Sequence, residues 1–178
     1  MEAKIKTGTG TKNIVITALF IALSFVGSYV KIFGTIAFDS LPGFLAALLL
    51  GPVYGAAIGF WGHLCTALTS GFPLSIPMHL VIATTMSISM LGFAYTYNIF
   101  KNKVSETICL MITGVAGVIL NGPVSLAFSM AALTLIAGKE AALGLLVLLP
   151  ALILTSAANI AIGIALFKTL GKVWNKSI

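Results

Sequence analysis

Charged side chains are missing from most of this chain. Asp39 is the only charged residue between Lys31 and Lys101, and the stretches 107–138 and 141–167 contain none. A helix needs roughly 20 apolar residues to cross the hydrocarbon of a bilayer. These stretches therefore predict several membrane-spanning helices and indicate an integral membrane protein.

The composition excludes several classes of protein. Only 8% of the residues are charged and 59% are hydrophobic, whereas a soluble domain has about 25% charged residues. This excludes a soluble enzyme, a disordered tail and a secreted disulfide scaffold. A nucleic-acid binder is also excluded despite the net charge of +6, because the lysines lie at the ends of apolar runs and do not cluster on one face. Cys65 and Cys109 lie within apolar runs, and we expect both to serve as small packing residues.

The apolar segments predict an all-α fold, an integral membrane bundle of six transmembrane helices in a single domain over residues 1–178. Their expected bounds are about 13–33, 38–50, 53–70, 77–100, 105–137 and 141–168, with the fifth broken at the Gly-Pro pair 122–123. We interpret the first as a span and not as a cleaved signal peptide, because it is longer than a usual signal h-region. No room remains for an ATPase domain, so active transport would draw its energy from a partner or an ion gradient.

The lysines predict the orientation. Eight of the ten occur at the N-terminus, in the turn after the fourth span and at the C-terminus, whereas Lys31 and Lys139 lie elsewhere. Cytoplasmic loops carry an excess of lysine and arginine. The distribution is satisfied if six spans place both termini in the cytoplasm.

A short sequence recurs in both halves, Gly51-Pro52-Val53 and Gly122-Pro123-Val124. Inverted three-helix repeats are common in transporters. A shared tripeptide does not by itself establish such a repeat.

Polar residues occur within or beside the predicted spans, where an unpaired polar side chain is costly. With the orientation above, the most conspicuous of them fall at mid-membrane or in the outer half. They are Tyr29, Lys31, Asp39, Trp61, His63, Thr66, His79, Asn121 and Asn159. Each has a structural alternative, such as lipid-facing aromatics, helix-tying asparagines, a snorkelling lysine or a capping aspartate. Together they predict a substrate pocket that opens to the outside.

The residue types narrow the chemistry of this pocket. Aromatic surface and neutral hydrogen-bonding groups suit a neutral, flat or sugar-bearing molecule better than a multivalent anion, which would need several cations. We expect no metal and no cofactor, because the 16-residue spacing of His63 and His79 matches no metal motif and the sequence has no HExxH. No catalytic arrangement of serine, lysine, histidine or paired acids is present at membrane depth.

Small residues recur at four-residue spacing in two predicted helices. Gly55 and Gly59 are expected to pack helices against each other. Ala18 and Ala22 on the first helix offer either internal packing or a docking face for another protein.

These residues resemble a known family. The stretch from Asp39 through Pro42-Gly43 to Gly51-Pro52, followed by Gly55 and Gly59, is similar to the first-half block of the substrate-binding S components of energy-coupling factor (ECF) transporters. It is closest to the riboflavin- and pantothenate-type branch. The step from Ala18 to Ala22 resembles the docking motif on the first helix of that family, and the six-span layout covers nearly the whole chain.

The resemblance implies a high-affinity subunit in the bacterial plasma membrane that binds a vitamin or vitamin precursor from outside. Its implied partners are a transmembrane coupling protein, contacted through the first helix, and two cytoplasmic ATPases. The family model has the S component topple in the membrane to release its substrate inside. The resemblance thus implies a transport subunit that is not an enzyme.

The stretch 62–74 with His79 after it resembles S components assigned to α-ribazole, a nucleoside precursor of cobalamin. Pantothenate and riboflavin remain alternatives, and a carboxylate substrate could use Lys31. The metal-ion members begin with Met-x-His, whereas this chain begins Met1-Glu2-Ala3.

Two other classes of function remain open at this point. One is an autonomous proton-coupled secondary carrier, with His63 or Asp39 as the proton site. The other is a small membrane enzyme or assembly factor.

Overall fold

A computed structural model describes residues 7–33 and 36–177, and the side chains of 10–31 and 36–171. The helices are α1 (Thr7–Gly27), α2 (Leu41–Leu49), α3 (Pro52–Thr69), α4 (Ile76–Phe100), α5 (Glu106–Ile119), α6 (Ser125–Ala137), α7 (Lys139–Gly144) and α8 (Leu149–Ser177). A π-helical turn, Leu120–Val124, joins α5 to α6, and a 3-10 turn, Leu145–Leu148, joins α7 to α8. Strands β1 (Lys31–Phe33) and β2 (Ile36–Ala37) pair antiparallel between α1 and α2. The prediction of a helical fold is confirmed, apart from this hairpin.

The first helix ends earlier than predicted. The expected segment 13–33 leaves the helix at Gly27, and its last residues enter the hairpin. Gly27 permits this because the backbone of the returning chain crosses directly over it; a Cβ there would lie 2.5 Å from the Phe38 carbonyl oxygen. The β-branched residues around the hairpin also favour a strand over a helix.

The predicted break at 122–123 falls where the regular α-helix is interrupted, but the chain does not leave the helix there. The helix continues through it as a π turn, with Pro123 inside the turn. Proline lacks the amide hydrogen of a regular helical turn, and a π turn is one way in which a helix accommodates such a defect. α5, the π turn and α6 therefore form one helical run of 32 residues, Glu106–Ala137.

Four helical runs of the described residues are long and apolar enough to cross a membrane: Gly10–Gly27, Ile76–Phe100, Glu106–Ala137 and Lys139–Gly171. The nine residues of α2 extend only about 14 Å at 1.5 Å per residue, well short of a bilayer core of roughly 30 Å. The chain is thus a multi-pass membrane protein.

The core is formed where α2, α3 and α4 meet. Phe44 and Phe93 pack edge to face with their ring centroids 4.9 Å apart, and Met90 fills the space that the absent side chains of Gly43 and Gly59 leave. Gly55 lies directly against Ala47, where a Cβ would come within 2.8 Å of the Ala47 Cα. The glycines of α2 and α3 therefore allow three helices to approach closely, as the small-residue spacing in α3 predicts.

In contrast, α1 packs against α2 and α3 on one side only. Just 11% of the residues of Gly10–Gly27 are buried. Large apolar side chains on this helix, among them Ile14, Leu19 and Val26, are more than half exposed, as expected of a helix that faces lipid or another membrane protein.

Candidate functional site

A cavity of about 90 Å³ lies between α4, α6, α8 and the segment that follows β2. Much of its wall is apolar, with Leu126 from α6 and Leu152 from α8 among its lining residues. Four of the predicted site residues also line it: Asp39, His63, Asn121 and Asn159. These four come from the link to α2, from α3, from the π turn and from α8, so residues far apart in the sequence meet at one space.

Asp39 begins a chain of polar contacts that leads away from the cavity. Its carboxylate Oδ2 accepts a hydrogen bond of 2.6 Å from the Thr66 hydroxyl and lies 3.6 Å from His63 Nδ1. The other ring nitrogen of His63, Nε2, is 3.1 Å from His79 Nδ1. All four side chains are buried. The network therefore fixes the orientation of the two groups that reach the cavity, Asp39 and His63.

His79 and Thr66 belong to this network but do not line the cavity. His79 is fully buried, its Nε2 has no hydrogen-bond partner, and its ring contacts that of Phe72 at 5.7 Å between centroids. Both residues, predicted as substrate contacts, are placed behind the residues that contact the cavity.

The two asparagines are held by their amide nitrogens. Asn159 donates to the carbonyl oxygen of Ala37 at 3.1 Å, and Asn121 donates to the Ser156 hydroxyl at 2.8 Å. The side-chain oxygens of both are buried without a partner. An unpaired buried acceptor is costly, so these oxygens are groups that a ligand donor can satisfy.

The cavity also contains polar residues that sequence reasoning missed. Thr155 and Ser156 on α8 line it beside Asn159, and the Thr155 hydroxyl is buried without a partner. Residues three and four apart share one face of a helix. Thr155 and Ser156 lie four and three residues before Asn159, so their spacing could have indicated that they share its face. Ser125 and Ser129 line the cavity from α6, and Ser125 also pairs with Thr85 at 2.8 Å.

Three predicted site residues lie outside the cavity. Tyr29 and Trp61 are 66% and 54% exposed, and their rings contact the neighbouring Phe25 and Phe60. Lys31 donates to the hydroxyls of Thr69 at 3.0 Å and Ser70 at 2.7 Å. Lys31 thus ties the hairpin to the end of α3.

The turn between α3 and α4 is strained. Phe72 and Ser75 have φ values of 51° and 82°, a region that non-glycine residues rarely adopt. Between them, Leu74 lines the cavity, and the ring of Phe72 contacts that of His79. Such strain costs about 1–3 kcal/mol per residue and concentrates at functional sites.

The predicted docking residues Ala18 and Ala22 are both exposed on α1. They lie on the exposed side of the helix together with Val15, Leu19 and Val26. The small residues therefore form a shallow depression among large apolar side chains.

Among the described residues, no group of three histidine, cysteine, aspartate or glutamate side chains converges as a metal site would require. The two ring nitrogens of His63 face different residues, one facing Asp39 and the other His79. In this arrangement Asp39, His63 and His79 do not point at one ion. The arrangement is suited to hold a small molecule between hydrogen-bonding groups and apolar walls.

A family model described as "ECF transporter, substrate-specific component" matches residues 12–171. The matched part contains the whole cavity and all the predicted site residues. No curated protein and no solved structure was found to match the chain.

Proposed function

Because the chain belongs to the family of substrate-specific components of ECF transporters, we propose that it is the high-affinity subunit for uptake of a vitamin or vitamin precursor across a bacterial plasma membrane. Members of this family are transporter subunits, not enzymes, and work with a membrane coupling protein and ATPases. In this proposal ATP hydrolysis resides in those partners, and this chain supplies the binding site.

The observation that carries the proposal is the meeting of Asp39, His63, Asn121 and Asn159 at one cavity. Buried side-chain amides that only tie helices together are in most cases hydrogen-bonded through both their oxygen and their nitrogen. Here the side-chain oxygens of both asparagines lack a partner, which favours a ligand as the missing one. Behind this site, Thr66 and His79 hold Asp39 and His63 in position. Outside the cavity, its surroundings include Tyr29, Lys31 and Trp61.

α-Ribazole is our first candidate substrate, with pantothenate and riboflavin as alternatives. A neutral nucleoside fits a cavity that combines apolar walls with the side-chain amides of Asn121 and Asn159 and with hydroxyl groups. The volume of about 90 Å³ is smaller than the several hundred Å³ of typical ligand pockets. The lining must therefore move apart when a whole vitamin binds, and the strained turn at Phe72 and Ser75 adjoins it.

We place six spans in the membrane with both termini in the cytoplasm. The four long apolar runs supply four of them. The fifth is α3, which has 18 residues, and the sixth is the nine-residue α2, with its ends covered by neighbouring helices. This arrangement puts Lys101 and Lys103 inside, in agreement with the positive-inside bias.

Docking to the coupling protein is assigned to α1 through Ala18 and Ala22. The exposure of both residues and of the large apolar side chains beside them supports this assignment, because small residues let a partner helix approach closely.

A proton-coupled secondary carrier is the second candidate. The buried chain of Asp39, His63 and His79 favours it, since intramembrane acids and histidines occur in proton relays. The two candidates differ in what the purified chain does alone. A carrier would accumulate substrate in liposomes until an uncoupler is added, whereas an S component would bind substrate and require the coupling protein and ATPases for uptake.

The direct test is to purify the protein from its native host, or from a related bacterium used for expression, and to identify the bound small molecule by mass spectrometry. Recovery of an unaltered vitamin-like compound supports the proposal. A protein that retains no small molecule, fails to associate with a coupling protein and takes up nothing with the ATPase module would contradict it.

A further inference from the structure

We infer that the substrate of this cavity carries no carboxylate or phosphate group and turns at least one N–H or O–H donor toward Asn159 and Asp39. The inference rests on the proposed function, because it concerns the substrate class of the same site. The groups that line the cavity carry it, because their hydrogen bonds have a fixed direction.

Asn159 determines the direction of one hydrogen bond to the ligand. Its side chain is 1% exposed, and its partner is the backbone carbonyl of Ala37. A carbonyl oxygen only accepts hydrogen bonds, so the amide nitrogen of Asn159 must face Ala37 and the amide oxygen must face away. That oxygen is buried without a partner. It can be satisfied only by a donor.

Asp39 adds a second acceptor to the same part of the cavity. It lies two residues after Ala37, lines the cavity and is 4% exposed. An ionised carboxylate has only acceptor sites, and Thr66 satisfies one of them at 2.6 Å. A ligand carboxylate or phosphate placed here would bring acceptor oxygens against the acceptor oxygens of Asp39 and Asn159, and neither side would supply a donor.

No lysine lines the cavity among the described residues, so no permanently charged cation there compensates a ligand anion. Lys31, the nearest candidate from the sequence, already donates to Thr69 and Ser70. His63 is the one basic side chain of the lining, and it lies beside Asp39. The electrostatic character of the cavity therefore favours a neutral or cationic ligand.

Thr155 supplies a further contact. It is 4% exposed, lines the cavity, and its hydroxyl has no partner. A hydroxyl can donate or accept. Thr155 and Asn159 are four residues apart on α8 and therefore share a face, so one ligand group that both donates and accepts, such as a sugar hydroxyl, can satisfy both.

The first experiment compares pairs of compounds that differ by one anionic group. The pairs are α-ribazole and its 5′-phosphate, riboflavin and its 5′-phosphate, and panthenol and pantothenate. Binding to the purified full-length protein is measured by calorimetry. In any pair that binds, we expect the neutral member to bind at least about tenfold more tightly; equal or tighter binding of the anionic member would overturn the inference.

The second experiment uses two variants that remove the same kind of group. Thr155→Val and Thr113→Val each delete a buried hydroxyl that has no partner, but only Thr155 lines the cavity. Loss of one hydrogen bond to a ligand predicts an affinity about fivefold to twentyfold lower for Thr155→Val. The Thr113→Val variant should bind as the unmodified protein does, and equal effects of the two substitutions would contradict the role of Thr155.

Failure of the inference and failure of the proposed function are distinguishable. If mass spectrometry finds a tightly bound carboxylate or phosphate compound, the inference is wrong and the proposed function stands. If it finds a neutral or cationic compound with hydroxyl or N–H groups, both are supported even when no compound of the three pairs binds. If no small molecule is bound under any condition, both fail together.

Discussion

At the scale of single residues, the buried carboxylate of Asp39 depends on a hydroxyl. Thr66 is fully buried and donates to Asp39 at 2.6 Å, while Asp39 lies beside His63. A carboxylate taken out of water must be hydrogen-bonded, because the alternative is an unsatisfied charge. The threonine is therefore part of the support of the cavity although it does not reach it.

Substitution of Thr66 by valine keeps the volume of the side chain and removes this donor. We expect a loss of about 1–3 kcal/mol of stability, the usual cost of leaving a buried polar group unsatisfied, and weaker ligand binding because Asp39 is no longer held. Thermal unfolding in detergent and calorimetric binding measure the two effects.

Thr84→Val is the matched control. Thr84 is an exposed threonine of α4 whose hydroxyl bonds the carbonyl of Leu80 in its own helix. Its removal should leave the midpoint of unfolding within a degree or two. A Thr66→Val midpoint no lower than that of Thr84→Val would refute the supporting role.

Some of the cavity could be predicted from the sequence, and physical reasons explain the rest. Asp39, His63, Asn121 and Asn159 are strongly polar groups in apolar segments, and such groups rarely face lipid. Thr155 escaped notice because threonine in a membrane helix commonly bonds its own backbone, which makes it an ambiguous signal.

The exposed aromatic residues are the opposite case, since the sequence predicted them as site residues and the structure places them outside the cavity. Trp61 and Tyr29 lie outside the cavity on lipid-accessible surface. In a membrane bundle the outward face of a helix is as apolar as the inward face, so hydrophobic periodicity does not separate them. An aromatic residue therefore carries little information about which side it faces.

At the scale of the elements, the contact of α2 with α3 depends on a glycine. A Cβ on Gly55 would lie 2.5 Å from the Ala47 Cβ and 2.8 Å from its Cα. Backbone atoms cannot rotate away as the end of a long side chain can. The two helices would have to separate to accommodate even one methyl group.

The variant Gly55→Ala should therefore lose about 1–3 kcal/mol, the typical cost of overpacking a core, despite the higher helix propensity of alanine. Gly144→Ala is the control, because Gly144 has a helical φ of −58° and nothing within 4 Å of a built Cβ. It should be neutral or slightly stabilising. Equal unfolding midpoints for the two variants would show that α2 and α3 are not so closely packed.

The sequence predicted most helices but not how they are joined. Gly51-Pro52 begins a helix, with Pro52 in the first turn of α3, where a missing amide hydrogen costs nothing. The second Gly-Pro pair, at 122–123, lies inside a continuous helical run. The same dipeptide therefore has two structural roles: Gly51 adopts a φ of 102° and the chain turns there, whereas Gly122 keeps a helical conformation.

At the scale of the whole molecule, α1 is the least enclosed of the long helices. Its exposed strip places Ala18 and Ala22 between larger apolar residues. Tryptophan at either position should fill the depression and block a partner helix, while the cavity, formed by other elements, remains intact.

We expect Ala18→Trp and Ala22→Trp to abolish uptake by cells that express the coupling module and to leave ligand affinity unchanged. Ala127→Trp, at an exposed alanine of α6, is the control and should support uptake. Normal uptake by both α1 variants would remove the docking assignment.

The proposed orientation is tested with single cysteines. In a background that lacks Cys65 and Cys109, a cysteine at Lys139 should react with a membrane-impermeant maleimide in intact cells. A cysteine at Lys103 should react only after permeabilisation. The reverse pattern, or labelling of both from outside, would contradict six spans with cytoplasmic termini.

The π turn at Leu120–Val124 amounts to one surplus residue in an otherwise regular helix. Each residue of an α-helix advances it by about 100°, so excision of that residue would turn Ser125 and Ser129 away from the cavity that they line and bring other side chains toward it. The helix would gain regularity, and the site would lose part of its polar wall. If the cavity binds the substrate as proposed, we expect a one-residue deletion in this turn to alter substrate preference more than many point substitutions would.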